Sequence, residues 1–119
     1  MKSIKMEVNY HNIMEEIQGK WICTKAFNKI KEELLSLQFS LLISENLISR
    51  TGGGGDQYWP NISNFELVGS NKDGYFYRED GCFMQVKSIS NQELVIELHQ
   101  KDSDGELNTV AFTFEKIME

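Results

Sequence analysis

Four consecutive glycines, Gly52 to Gly55, followed by Asp56-Gln57-Tyr58-Trp59-Pro60, are the residues whose types and spacing come nearest to a ligand cradle. A phosphate loop needs backbone amides at a helix N-terminus and a Lys-Ser/Thr pair after the glycines. Asp56 and Gln57 stand there instead, so nucleotide binding is not expected. The position of the run says more than its composition. With no side chains to pack, it is predicted to be a mobile loop. Tyr58 and Trp59 beside it could gate the mouth of a cavity, contact a partner, or pack back onto the body of the protein.

The other reactive residue types show no catalytic spacing. His11, His99, Cys23 and Cys82 form neither Cys-x-x-Cys nor His-x-x-x-His, so no metal site is expected. Asp102, Asp104 and Glu106 around Gly105 imitate the start of a calcium loop, but the twelve-residue pattern does not continue and an Asp-Gly turn accounts for them. The pairs Glu15-Glu16, Glu32-Glu33 and Glu79-Asp80 are adjacent carboxylates of the kind that form solvated faces. Asn61-Ile62-Ser63 is a chance glycosylation triplet unless the chain is secreted. No Ser-His-acid or Cys-His arrangement emerges from spacing. The expectation is a protein without enzymatic activity or cofactor.

What must position any site is a series of strands. From Cys82 to Lys116, Met84 and Val86, then Leu94, Ile96 and Leu98, then Val110, Phe112 and Phe114 recur with the period of two of half-buried antiparallel strands. Ser90-Asn91-Gln92 and Asp102-Ser103-Asp104-Gly105 supply the turns between them. Upstream, Asn9 to Gly19 is predicted as a short helix and Lys20 to Phe27 as a strand with Trp21, Cys23 and Phe27 on one face. A period of three and four through Ile30, Leu34 and Leu37 predicts an amphipathic helix over Asn28 to Leu37. Gln38–Ser44 and Leu47–Thr51 read as a hairpin with Phe39, Leu41 and Ile43 inward. Ile62–Val68 and Tyr75–Arg78 are further strands, joined by a turn at Asn71-Lys72-Asp73-Gly74. Eight or nine strands in a meander should roll up rather than leave edges open, with the Trp21 strand pairing with the last strand at Phe112. The predicted fold is mainly β: a small antiparallel up-and-down barrel with one helix before the first strand and one after it. Trp21, Phe39, Leu41, Phe65, Leu67, Tyr75, Tyr77, Phe83, Leu94, Ile96, Phe112 and Phe114 are its expected inward set. They line a cavity or fill one, and their bulk favours a largely filled core.

The 119 residues suit one domain with a single core. Twelve Lys and Arg against eighteen Asp and Glu give a net charge of -6, which disfavours nucleic acid and anionic membranes and would steer a basic protein partner. The first twenty residues carry no signal-type apolar run and no membrane span. The expected location is cytoplasmic if Met1 is native, and periplasmic or surface-anchored if a leader has been removed. Cys23 and Cys82 are expected as buried thiols, with a disulfide between them left open.

Gly19-Lys20-Trp21 opening the first strand, and Val86, Ile89, Ser90, Leu94, Ile96 and Leu98 closing on Phe112-Thr113-Phe114-Glu115-Lys116, resemble the small bacterial lipocalin-like domains. That resemblance implies a calycin-type barrel with Gly19 and Trp21 at its closed end, and a small apolar ligand at the mouth. Candidate ligand or partner contacts are then Tyr58, Trp59, Phe39, Tyr75, Tyr77 and Phe83, with Gly19, Trp21, Phe112 and Phe114 structural. The other expectation is an acidic interaction protein, such as an immunity protein that neutralises a basic toxin.

Overall fold

Strand β1 (Gly19–Asn28) runs antiparallel to β9 (Leu107–Lys116), with Trp21 opposite Lys116, Ala26 opposite Phe112 and Asn28 opposite Val110. That pairing closes a barrel whose other staves are β3 (Ser40–Ser44), β4 (Leu47–Thr51), β5 (Ile62–Leu67), β6 (Tyr75–Arg78), β7 (Phe83–Ile89) and β8 (Glu93–Lys101). Among the described residues a short ninth strand, β2 (Glu33–Leu35), pairs only with the far end of β1. The computed structural model describes residues 13–68, 74–101 and 104–118. Asn9, His11, the Asn71 to Asp73 part of one expected turn, and Asp102 and Ser103 of another lie outside them. Of the expected first helix, the described part is one turn at residues 13–16, closed by the Ile17 amide on the Ile13 carbonyl at 3.1 Å.

The helix expected after β1 is replaced by a turn and β2. Asn28 begins the chain reversal as a cap would, its Oδ1 accepting from the Ile30 and Lys31 amides at 3.0 Å each. Glu32 then takes the left-handed conformation, φ 53°, and the chain folds back so that Phe27 faces Leu34 instead of winding on. Ile30 and Leu34, the residues of the supposed apolar stripe, are exposed at 59% and 66%. A second departure lies within β1. A bulge between Cys23 and Lys25 inserts one residue and shifts the alternation, so Ala26 is buried and Phe27 turns outward.

The interior is aromatic. Phe112 and Phe114 lie nearly parallel at 6.1 Å, and Phe39 meets both edge-on at 6.0 and 5.9 Å. Each of these rings is buried, as are Leu41, Ile43, Leu94, Ile96, Leu98 and Val110. Burial of such side chains contributes roughly 1.5–3 kcal/mol apiece. The end of the barrel where the chain enters is finished by Trp21, fully buried, whose indole N–H donates to the Ile17 carbonyl at 2.8 Å. The Lys116 ammonium sits 4.7 Å over the Trp21 ring and donates to the Gln18 carbonyl. Gly19 permits this: its φ is 119°, and a Cβ there would stand 2.7 Å from Lys116 Nζ.

Candidate functional site

The six candidate contact residues fall into two groups on different parts of the molecule. Phe39, Tyr58 and Trp59 gather inside the opposite end of the barrel, where residues 52–61 cross the opening between β4 and β5. Trp59 is 1% exposed, 5.5 Å from Phe112, 6.1 Å from Phe114 and 6.5 Å from Phe39, and Tyr58 meets Phe112 edge-on at 5.6 Å. The chain's own indole therefore fills the mouth.

Two arginines hold the plug by its carbonyls. Arg50 Nε donates to the Trp59 carbonyl at 2.8 Å, Nη2 to Asn61 Oδ1 at 2.7 Å, and Nη1 to the Gly52 carbonyl. Arg78 points inward, 2% exposed, with its guanidinium carbon 5.2 Å from the Trp59 ring centre. Its Nη1 donates to the Tyr58 carbonyl at 2.7 Å, and Nε and Nη2 form a bidentate pair with Asp80 at 2.9 and 2.6 Å. Sequence reasoning missed Arg78. The available signal was the pair Arg78 and Asp80 two residues apart at a strand end, where a buried guanidinium can reach a rim carboxylate.

The glycine run is a loop, as expected, and Gly54 and Gly55 approach the Gln38–Phe39 segment closely. A Cβ on Gly54 would lie 2.6 Å from both the nitrogen and the oxygen of the Gln38 backbone, and one on Gly55 would lie 2.7 Å from the Phe39 ring. The amides of Tyr58 and Trp59 donate to the Gly55 carbonyl at 3.0 and 2.8 Å. Gly54→Ala is accordingly expected to cost about 1–3 kcal/mol by overpacking. Gly53→Ala, with nothing within 4 Å of its Cβ, should be neutral or slightly stabilising. Urea midpoints of the two variants check the contrast.

Tyr75, Tyr77 and Phe83, expected inward, stand on the outside. Phe76 and Arg78 take the interior positions of β6 and Met84 that of β7, which turns their neighbours out by the alternation of the strand. Phe83 lies opposite Tyr77 in register and meets Tyr77 edge-on at 5.4 Å and Tyr75 at 6.2 Å. Tyr75, Tyr77 and Phe83 remain 37%, 40% and 40% exposed, so the three rings form an aromatic ridge on the outer face. On one side lies a hollow of about 310 Å³ bordered by Asn46, Asn64, Glu66, Tyr77 and Glu79, and among its described lining residues none is basic. Glu66 faces Tyr77 across the β5–β6 pair. Glu79 is fixed by Asn64, whose amide donates to Glu79 Oε1 at 3.0 Å while the Glu79 amide donates to the Asn64 carbonyl, also at 3.0 Å. On the other side, a hollow of about 550 Å³ reaches from Asp80 and Phe83 to His99, Lys101 and Leu107.

Compared with models of known families, with curated proteins and with solved structures, the chain matches none of them.

Beyond the ridge, β8 and β9 carry a polar network on the same outer face. Lys29 Nζ pairs with Glu97 Oε2 at 2.8 Å, and His99 Nδ1 lies 3.1 Å from Thr109 Oγ1. These are the residue types of a nucleophile, a base and an acid. Yet Glu97 Oε1 is 3.8 Å from His99 Nε2, beyond hydrogen-bonding distance, and Thr109 is buried. The network joins strands. Among the described residues no cluster of three or more His, Cys, Asp or Glu could hold a metal, and no helix is long and apolar enough to cross a membrane. Cys23 and Cys82 are unpaired and buried, and burial pushes the Cys23 thiol up to about 11 and raises that of Cys82.

Two carboxylates make stability depend on acid. Burial pushes Asp80 and Glu97 upward, but hydrogen bonds and charge attraction from Arg78 and Lys29 respectively outweigh it, so both lie below their ordinary values. A lowered native value favours the fold above the unfolded-state value and loses that contribution as pH falls through the native one. Urea midpoints should therefore drop progressively below about pH 4.5, the ordinary value for Glu97, and the drop should be shallower in Glu97→Gln.

Proposed function

We propose that this chain is a non-enzymatic interaction protein that takes a basic protein partner on the outer face of β5 to β7, in the manner of an acidic protein neutralising a toxin. The observation that carries this reading is the ridge of Tyr75, Tyr77 and Phe83, with Phe83 packed against both tyrosines and all three rings left 37–40% exposed beside a hollow lined in part by carboxylates. Aromatic side chains of this kind supply contact area at low entropic cost and dominate the energetics of protein interfaces. The net charge of -6 would speed the encounter with a positively charged protein.

A second reading, a lipocalin-like carrier of a small apolar molecule, has one observation in its favour. The Trp59 Nε1 donor is buried and finds no hydrogen-bond partner among the described residues. An orphaned donor costs about 1–3 kcal/mol, which lowers the cost of moving the plug. A ligand at the mouth would have to displace that ring from contact with Phe39, Phe112 and Phe114.

Selection of a displayed random-peptide library on the immobilised protein separates the readings. The interaction reading expects enriched peptides rich in Lys and Arg whose binding is lost in Tyr77→Ala/Phe83→Ala, a double variant of exposed residues that should fold normally. Enriched peptides that bind this variant unchanged would overturn it.

A further inference from the structure

Resting on that reading, we infer that the partner is anchored by an arginine side chain seated in the hollow between Glu66 and Glu79 and stacked on Tyr77. Four outward side chains make the seat in two adjacent rows, Glu66 beside Tyr77 and Asn64 beside Glu79. The Tyr77 ring meets Phe83 edge-on at 5.4 Å, which braces it as a platform. Glu79 is fixed in turn by Asn64, whose backbone amide donates to Oε1 at 3.0 Å and whose side-chain amide reaches Oε2 at 3.5 Å, so a guanidinium would bond to the lone pairs these contacts leave. At about 310 Å³ the hollow is at the small end of ligand pockets, a size for one long side chain and not for a folded element.

Charge complementarity names the occupant. Two carboxylates and a tyrosine face the space, and among the described lining residues no cation neutralises them. A guanidinium can bond to carboxylates along its edges while its plane stacks on an aromatic ring, a combination an ammonium cannot offer. A lysine would gain the charge and lose the fork. The neighbouring rings of Phe83 and Tyr75 then lie where aliphatic residues flanking the arginine would rest.

The test uses peptides enriched on the wild-type protein, with each arginine replaced in turn by citrulline, which keeps the shape and removes the charge. One arginine per peptide should be essential, its replacement weakening binding at least tenfold. Glu66→Gln/Glu79→Gln should weaken the parent peptide similarly while leaving its citrulline form unaffected, since coupled partners are not additive. Unchanged melting temperature of the double variant shows that the fold is intact. If peptides bind through Tyr77 and Phe83 but tolerate citrulline and both Gln substitutions, the arginine anchor is wrong and the docking face stands. If no peptide depends on Tyr77 and Phe83, both fall.

Discussion

Trp59→Ala is expected to lower the unfolding free energy by about 3–5 kcal/mol, the range for removing a large buried aromatic. The indole touches Phe39, Phe112 and Phe114 and lies under Arg78, so its loss leaves a hole where the loop meets the barrel. The backbone of Trp59 is held by Arg50, which limits how far the loop can collapse into that hole. Chemical denaturation followed by circular dichroism measures the loss. Trp59→Phe should cost much less, because it retains most of the packing and removes an N–H that has no partner among the described residues. Trp21→Phe provides the contrast, since it removes an N–H that donates to Ile17. Apolar cavities admit small apolar molecules. Indole should accordingly raise the melting temperature of Trp59→Ala and leave the wild type unmoved. A rise in the wild type would favour the carrier reading.

Asp80→Asn is the second large effect. Arg78 is 2% exposed and makes its bidentate pair with Asp80, so the substitution removes the charge that faces a buried guanidinium, which keeps the Tyr58 carbonyl and the Trp59 face. Breaking one side of a buried pair costs about 3–5 kcal/mol. The Asp80 side chain is 40% exposed, and water reaching that rim should hold the loss to about 2–3 kcal/mol. Arg78→Met, which removes the buried charge and keeps an apolar stem, should cost less than Asp80→Asn despite deleting more hydrogen bonds. Urea midpoints of the two variants at pH 7 decide the order. If Arg78→Met is the more damaging, the guanidinium matters chiefly as the clamp on the Tyr58 carbonyl.

Much of the barrel was legible because most strands obey a period of two and are joined by recognisable turns. The closure of the first strand on the last followed from the cost of open edges, and the register confirms it. The misreadings have separate physical causes. In β6, Tyr-Phe-Tyr-Arg offers three aromatics in succession, so alternation does not say which face is inside. Arg78 can lie inside only because Asp80 and the Tyr58 carbonyl receive its donors, and those are tertiary facts. At Asn28 a helix cap and a turn begin alike, and the left-handed Glu32 that decides between them has no sequence signature. The four glycines signal freedom in the unfolded chain, but in the fold Gly54 and Gly55 are needed for closeness to Gln38 and Phe39. Tyr58, Trp59, Tyr75, Tyr77 and Phe83 were found as candidates from residue type, while their division between a plug and a ridge required the strand faces.

The central claim is that partners meet this protein on the ridge and not in the barrel. Amide and indole proton–nitrogen NMR spectra recorded during titration with the most enriched peptide test it most directly. With only two tryptophans in the chain, the Trp59 indole signal is readily assigned. The expected result is movement of the Asn64, Glu66, Tyr75, Tyr77, Glu79 and Phe83 amides with the Trp59 indole unshifted. A shifted Trp59 indole and Phe112 and Phe114 amides, with a silent outer face, would contradict the account.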